Sequence, residues 1–343
     1  MSAAKSSKTT VAIVGATGYT ALELLKILAR HPYVEVAVLT SRQEGEPPLN
    51  EVHPSLTGLF DLRCENIAPR AAAERADCVF SCLPHGVTNR SIPEMLAAGA
   101  KVVDFSADYR LDDAETFTKW YGEEHADAER LATTPYGLPE LFREEIVPAT
   151  LVANPGCYPT SAVLALAPLL KSGLIEPHDV VIDSKSGVSG AGRTPKLMTH
   201  FPECNESVAA YSIGRHRHTP EIQQVLSRSC GTNVDLVFAP HLIPMDRGIL
   251  TTAYARRRGG VDEATLREAV RSFYKGERFV RVVDHLPATK HTTGTNFCDV
   301  HVCLVGDRVV VVSSLDNMIK GASGAAVQNF NLMFGYPEET GLL

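Results

Sequence analysis

Apolar runs bounded by glycines, prolines and charges recur through the first part of the chain: "TVAIVG" from position 10, "VEVAVLT" from 34, "ADCVFSCLP" from 76 and "AKVVDFS" from 100. Between them, 20–30 and 88–98 carry apolar residues at helical spacing. Short β-rich runs alternating with helical stretches predict a parallel sheet wound with helices. From about 179 the texture changes. "DVVIDSKSG", "VDLVFAPHL", "GILTTAYARR" and "VHVCLVGDRVVVVSSL" are longer β-rich segments with few helical stretches between them, such as 262–275. They predict an α+β second domain with a largely antiparallel sheet. The stretch 318–334, "MIKGASGAAVQNFNLMF", reads as a helix of small residues suited to close packing on the first domain.

A chain of 343 residues is too long for one ordinary domain, so two are expected, each with its own core. Hydrophobic content of 44% with 21% charged residues excludes disorder, and no apolar run approaches the ~20 residues that span a bilayer. No membrane association and no signal peptide are expected. The formal charge of -7 excludes broad nucleic-acid binding but leaves room for a local basic pocket. Eight cysteines, none in a CxxC pair, indicate neither a metal knuckle nor a disulfide framework. A reducing cytoplasm and no metal are the expectations.

"VAIVGATGYTALELLKIL" joins an apolar strand to an amphipathic helix through Gly15, Gly18 and Ala21, spaced G-x-x-G-x-x-A. Glycines let the backbone approach a pyrophosphate, and exposed N–H groups at a helix start attract its charge. NAD binders usually end the second strand with an acidic residue that holds the ribose 2′-hydroxyl. Here Thr40, Ser41 and Arg42 stand instead, which suits the 2′-phosphate of NADP(H). "SCLPHG", 81–86, turns at Pro84 and Gly86 at the carboxyl edge of the sheet, where His85 lines a cofactor site or serves the turn.

Cys157 in "VANPGCYPTS" precedes Pro159, a residue tolerated only in the first turn of a helix, and "TSAVLALAPLL" continues an apolar helix. A thiol at that positive end is a candidate nucleophile. Cys64, Cys78, Cys230, Cys298 and Cys303, mostly in apolar or strand-like settings, read as ordinary apolar filler. "GRHRHTPEIQQVL" offers His218 as proton carrier, with His216 as the alternative. Thr219 is the expected N-cap and Pro220 the first helical residue there. Glu221 either orients the imidazole or favours the helix dipole. Candidate anion-holding cations are Arg110, Lys185 with Arg193, and Arg215 with Arg217.

The ordered motifs "GATGYTALELL", "LPHG", "DFSADYRL", "YGLPEL", "NPGCYPT", "KSGVSGAGR", "HRHTPEI", "HLIPMDRGIL" and "KGASGAAVQN" resemble those of the N-acetyl-gamma-glutamyl-phosphate reductases, relatives of aspartate-semialdehyde dehydrogenase. The resemblance covers about 10–343. It implies a Rossmann-type α/β NADP-binding domain over 10–156, completed by the C-terminal helix 318–343; the stretch 1–9 ahead of it, without an apolar run, is expected to be a disordered tail. It further implies an α+β catalytic and oligomerisation domain over 157–317 with a mixed, largely antiparallel sheet.

By the same resemblance Cys157 is the nucleophile and His218 the acid/base. Contacts to NADP(H) fall to Gly15, Thr17, Gly18, Tyr19, Thr20, Ser41, Arg42, Cys82, Pro84, His85, Gly86, Ser189, Gly190, Gly192, Asn317 and Lys320, and the acyl phosphate to Arg110, Asn154, Lys185, Arg215 and Glu221. Ser323 and Ala325 depart from the usual alanine and glutamine. The implied activity is NADPH-dependent reduction of N-acetyl-glutamyl 5-phosphate through a cysteine thioester, by a homodimer or homotetramer. Alternatives are reduction of aspartyl phosphate or of a carrier-bound aminoadipyl phosphate, a cysteine hydrolase or acyltransferase, and a non-catalytic NADP sensor.

Overall fold

The computed structural model describes residues 8–343. The expected disordered tail lies outside the described residues for 1–7, whereas Thr9 already belongs to the first strand. Its N–H donates to Tyr33 O at 2.8 Å and its hydroxyl meets Tyr336 Oη at 2.6 Å, so pairing begins one residue before the expected start at 10. The chain divides into two compact units, one running to Pro155 and resuming at Ser323–Leu343, the other Gly156–Ala322.

The first unit is built on six parallel strands: β1 (Thr9–Val14), β2 (Val34–Thr40), β3 (Cys64–Glu65), β4 (Cys78–Ser81), β5 (Lys101–Asp104) and β6 (Leu151–Ala153). They stand in the order β3-β2-β1-β4-β5-β6. Helices cover both faces of such a sheet, so its strands are near-continuous apolar runs, and every residue of β4 is buried. β3 and β6 are only two and three residues long, too short for a hydrophobic pattern to announce. The order reverses between β1 and β4, where Val14 pairs with Ser81. Their carboxyl ends therefore deliver Gly15 and Cys82 side by side, at the switch point where ligands of this topology sit.

The expected C-terminal helix begins with a π-turn over Ile319–Ser323 and continues as an α-helix over Gly324–Phe334. Within the first unit that helix is fastened by polar groups. Asn329 Nδ2 donates to Gly137 O at 2.8 Å, Lys101 Nζ to Met333 O at 2.7 Å, and His31 Nε2 meets Asn331 Oδ1 at 2.9 Å. Ser323, one of the departures from the family pattern, donates its hydroxyl to Thr20 O at 2.8 Å.

The second unit holds a mixed seven-stranded sheet in the order β11-β12-β13-β10-β7-β9-β8. Its strands are β7 (Val180–Ser186), β8 (Ala209–Ala210), β9 (Leu236–Leu242), β10 (Ile249–Arg256), β11 (Val280–Val282), β12 (Cys298–Val305) and β13 (Arg308–Leu315). Four of the six pairings are antiparallel; β7 with β9 and β11 with β12 are parallel.

The helix Cys157–Lys171 lies against this sheet, with every residue from Tyr158 to Leu170 buried. A helix buried all round has no polar face, so its few hydroxyls must find partners in the core. Ser161 Oγ does so, 2.8 Å from Thr251 Oγ1 on β10 and 2.8 Å from Ser313 Oγ on β13.

Candidate active site

At the cofactor end the glycine turn is sterically required. Gly15 has φ +90°, and a Cβ there would stand 2.8 Å from Cys82 O. The helix Tyr19–Leu28 follows Gly18 and has no side-chain cap. The first N–H groups of a helix have no partner within it, so this start is a ready anion cradle. Thr40 Oγ1 accepts the Gly15 N–H at 3.3 Å and Ser41 Oγ accepts the Gln43 N–H at 3.0 Å, which leaves the Ser41 O–H to donate elsewhere. Arg42 is exposed beside it. An uncapped helix start, a glycine whose positive φ and close neighbour disfavour any Cβ, and a hydroxyl with a guanidinium at the end of β2 fit a dinucleotide carrying a 2′-phosphate.

The "LPHG" turn is held from below by an aspartate that the motif reading overlooked. Asp108, 0% exposed, accepts the Gly86 N–H through both oxygens, at 2.9 and 3.0 Å, and the Asn89 N–H at 2.9 Å. Burial raises its carboxyl while those bonds pull it back down. His85 Nδ1 accepts the Ala107 N–H at 2.9 Å, so the turn role of His85 is occupied. Burial pushes the Cys82 thiol up to about 12, with a hydrogen bond to Thr20 opposing, which makes it an unreactive wall of the turn. Asp104, at the end of β5, is likewise pushed up to about 7 by burial despite two bonds from Ser106. Asp108 lies in "DFSADYR", a motif in which Arg110 alone stands out as a candidate ligand, because a turn-holding carboxylate carries no local pattern.

In the second unit Cys157 is the first residue of its helix, half-buried, behind Gly156 in extended conformation (φ -70°, ψ 153°) and with no side-chain cap. The group that organises this entrance is Glu221, 1% exposed. Its Oε1 accepts the Gly156 N–H at 2.9 Å, and its Oε2 lies 4.0 Å from His218 Nε2. One buried carboxylate thus faces both the backbone before the thiol and the imidazole. Gly321 is fitted against the same spot, where a Cβ would come within 2.8 Å of Cys157 Cβ.

The two candidate histidines separate by environment. His216 Nδ1 accepts the His218 N–H at 3.1 Å, so that nitrogen carries no proton. Burial, with Arg217 adding to it, lowers His216 to about 4, and a neutral ring with one nitrogen occupied is a poor proton donor near pH 7. His218, half-buried and facing Glu221, is better placed for the task. Its helix runs His218–Cys230, so Thr219 is not the N-cap and Pro220 is the third helical residue. The Thr219 N–H bonds to His216 O at 2.9 Å, which brings the turn forward, and proline is still tolerated because first-turn N–H groups need no helical partner.

Several residues expected at the substrate are turned inward. Arg110 is 6% exposed and donates Nε to Asn154 O and Nη2 to Phe105 O, each at 2.8 Å. Asn154, 1% exposed, accepts from Asn329 Nδ2 at 3.1 Å. Both brace the loop after β6 within the first unit. Glu221 is as buried as Asn154, with Gly156 N–H and His218 as its neighbours. Lys185 pairs with Asp183 at 3.0 Å, and Arg215 is exposed.

Asn317 is 1% exposed and uses both ends of its amide, accepting from Gly248 N–H at 2.7 Å and donating to Ser189 Oγ at 3.0 Å. It shapes the 187–192 turn, where Gly190 and Gly192 are exposed. Lys320 is 0% exposed, with Nζ 5.8 Å from the Phe279 ring centroid.

Comparison with known proteins gives a consistent result. Residues 10–149 match the family model "Semialdehyde dehydrogenase, NAD binding domain", and 157–317 match "Semialdehyde dehydrogenase, dimerisation domain". The chain is 50% identical over 343 residues to the N-acetyl-gamma-glutamyl-phosphate reductase of Rhodopirellula baltica, covering 98% of this chain and 99% of that one. It is 50% identical over 336 residues to the enzyme of the same name from Pelotomaculum thermopropionicum, covering 97% of each. Among solved structures, aspartate semialdehyde dehydrogenase II of Vibrio cholerae superposes with a TM-score of 0.75 at 16% identity, covering 96% of this chain and 99% of that one. The Candida albicans aspartate semialdehyde dehydrogenase with NADP gives 0.72 at 16%, covering 96% and 99%. At that identity the structures attest the fold alone.

Proposed function

The chain belongs to the N-acetyl-gamma-glutamyl-phosphate reductases of the semialdehyde dehydrogenase family, and from that premise we propose how its own residues carry out the reaction. It reduces N-acetyl-glutamyl 5-phosphate to the 5-semialdehyde with release of phosphate, in arginine biosynthesis.

Cys157 attacks the acyl carbon as a thiolate, phosphate leaves, and the acyl group remains on Sγ as a thioester. Backbone N–H groups of the first turn, where Pro159 has none to give, stabilise the oxyanion that forms during attack. Bound NADPH supplies the hydride that takes the thioester to the aldehyde level. His218 moves the proton between the substrate oxygen and solvent, a contribution of typically ~10²- to 10⁴-fold. Glu221 keeps the Gly156 N–H and the His218 ring in register, so thiol and proton carrier do not drift apart. The sulfur leaves with the bonding pair as the aldehyde departs, which restores the thiolate.

The observation that carries this reading is the placement of Cys157 at an uncapped helix start with the Glu221 carboxylate between Gly156 and His218. Thr40, Ser41 and Arg42 support NADP rather than NAD. The match of 157–317 to a dimerisation domain supports a homodimer, with a homotetramer as the larger option. No helix among the described residues is long and apolar enough to cross a membrane, and a cytoplasmic enzyme fits the scattered, unbridged cysteines. Run in reverse with inorganic phosphate, the protein should reduce NADP in the presence of N-acetylglutamate semialdehyde and much more slowly with aspartate semialdehyde. A preference for the aspartyl substrate, or acid release without nicotinamide turnover, would refute the assignment.

A further inference from the structure

We propose that His285, His291 and Asp299 form a binding site for a divalent transition metal, apart from the residues assigned to the reduction. Each offers one ligand atom, and the three atoms lie within 4.8 Å of one another. His285 follows β11, His291 sits in the helical turn Thr289–Thr292, and Asp299 is on β12. The imidazole centroids are 5.2 Å apart with their planes at 75°, and both residues are exposed, whereas Asp299 is buried.

Arg281 pre-sets the arrangement. Its Nε stands 2.5 Å from Asp299 Oδ1, its guanidinium lies 4.5 Å from the Phe297 ring centroid, and its Nη2 donates to His291 O at 3.2 Å. The carboxylate and the His291 backbone are therefore held by one rigid group. The neighbouring Asp284 is engaged by Arg267 and Arg271 and is not part of the set.

Two imidazoles and one carboxylate match a three-ligand site with water as the fourth, the donor set of Zn²⁺ and its neighbours rather than of Mg²⁺ or Ca²⁺. Ligands at ~2.1 Å in tetrahedral geometry lie about 3.4 Å apart, so the exposed rings need only swing inward by a modest contraction. Arg281 offsets the charge of Asp299, so the histidines supply most of the affinity. The metal would tie the segment 285–291 to β12 and stabilise the second unit by mass action. No contiguous motif announces such a site, because its ligands come from three elements and the histidines are six residues apart.

The test titrates Zn²⁺ and Co²⁺ into the full chain carrying Cys157→Ser, which removes the thiol as a competing soft ligand. One equivalent of Co²⁺ should bind with visible absorption and be displaced by Zn²⁺. His285→Ala and His291→Ala should each weaken Zn²⁺ binding by at least about tenfold, the scale on which even outer-shell changes act. In the chain that retains Cys157 the same two substitutions should leave the reduction rate unchanged, and Zn²⁺ should raise Tm only in Cys157→Ser protein retaining both histidines. Equal Zn²⁺ binding by the His285→Ala/His291→Ala double variant, absence of saturable binding by the Cys157→Ser parent, or a preference for Mg²⁺ would each overturn the site.

Discussion

The helices Tyr19–Leu28 and Cys157–Lys171 each start after an extended glycine, Gly18 (φ -80°, ψ 168°) and Gly156 (φ -70°, ψ 153°), and neither has a side-chain cap. The same local device serves two kinds of chemistry. At the first start the close contacts come from neighbouring strand ends: Gly15 stands against Cys82 O after β4 and gives its N–H to Thr40 Oγ1 on β2, and no side chain caps the helix. At the second, a carboxylate 65 residues further on closes the arrangement by accepting the Gly156 N–H. An open helix start binds an anion on its own, whereas a helix start that must fix a nucleophile needs a group from elsewhere in the fold to hold its geometry.

The largest expected effect tests the second entrance. Cys157→Ser should lower NADP reduction by roughly a thousandfold or more while NADP binding, followed by fluorescence, stays close to that of the parent. Near-parental turnover would remove the thiol from the mechanism. Next comes the contrast between the histidines. His218→Asn should slow the reaction by ~10²- to 10⁴-fold and His216→Asn by less than about tenfold, because His216 is already neutral near pH 7. Steady-state rates in which His216→Asn is the slower variant would reverse the roles.

The smallest effect probes the first entrance. Gly15→Ala puts a Cβ against Cys82 O in a left-handed conformation that costs an ordinary residue about 1–2 kcal/mol. The Kd for NADPH should rise by about tenfold, equivalent to about 1.4 kcal/mol. Alkylation of Cys157 by iodoacetamide, a reading of the other entrance, should be unchanged. A loss of thiol reactivity equal to the loss of NADPH affinity would mean that the two entrances are not independent.

Local order carried the reading a long way. Periodicity announced β1, β2, β4 and β5 because their runs are long and bounded by turn residues, and it announced the shift to alternating strands after 179. It missed β3 and β6, whose few residues carry no period. It also put Thr219 at the N-cap, because the His216 carbonyl that captures the Thr219 N–H is invisible to a pattern of residue types.

By itself the sequence determined the strand–glycine–helix turn at Gly15, the placement of Cys157 at a helix start, and the absence of an acidic residue after β2, since each depends on neighbours within a few positions. Only the tertiary structure decided that Asp108 holds the "LPHG" turn and that Glu221 faces both Gly156 and His218. It likewise turned Arg110 and Asn154 inward and brought His285, His291 and Asp299 together. Hydrogen bonds and burial between residues distant in the chain set those roles, and the free energy of a buried polar group is fixed by the partners it meets, not by the letters beside it.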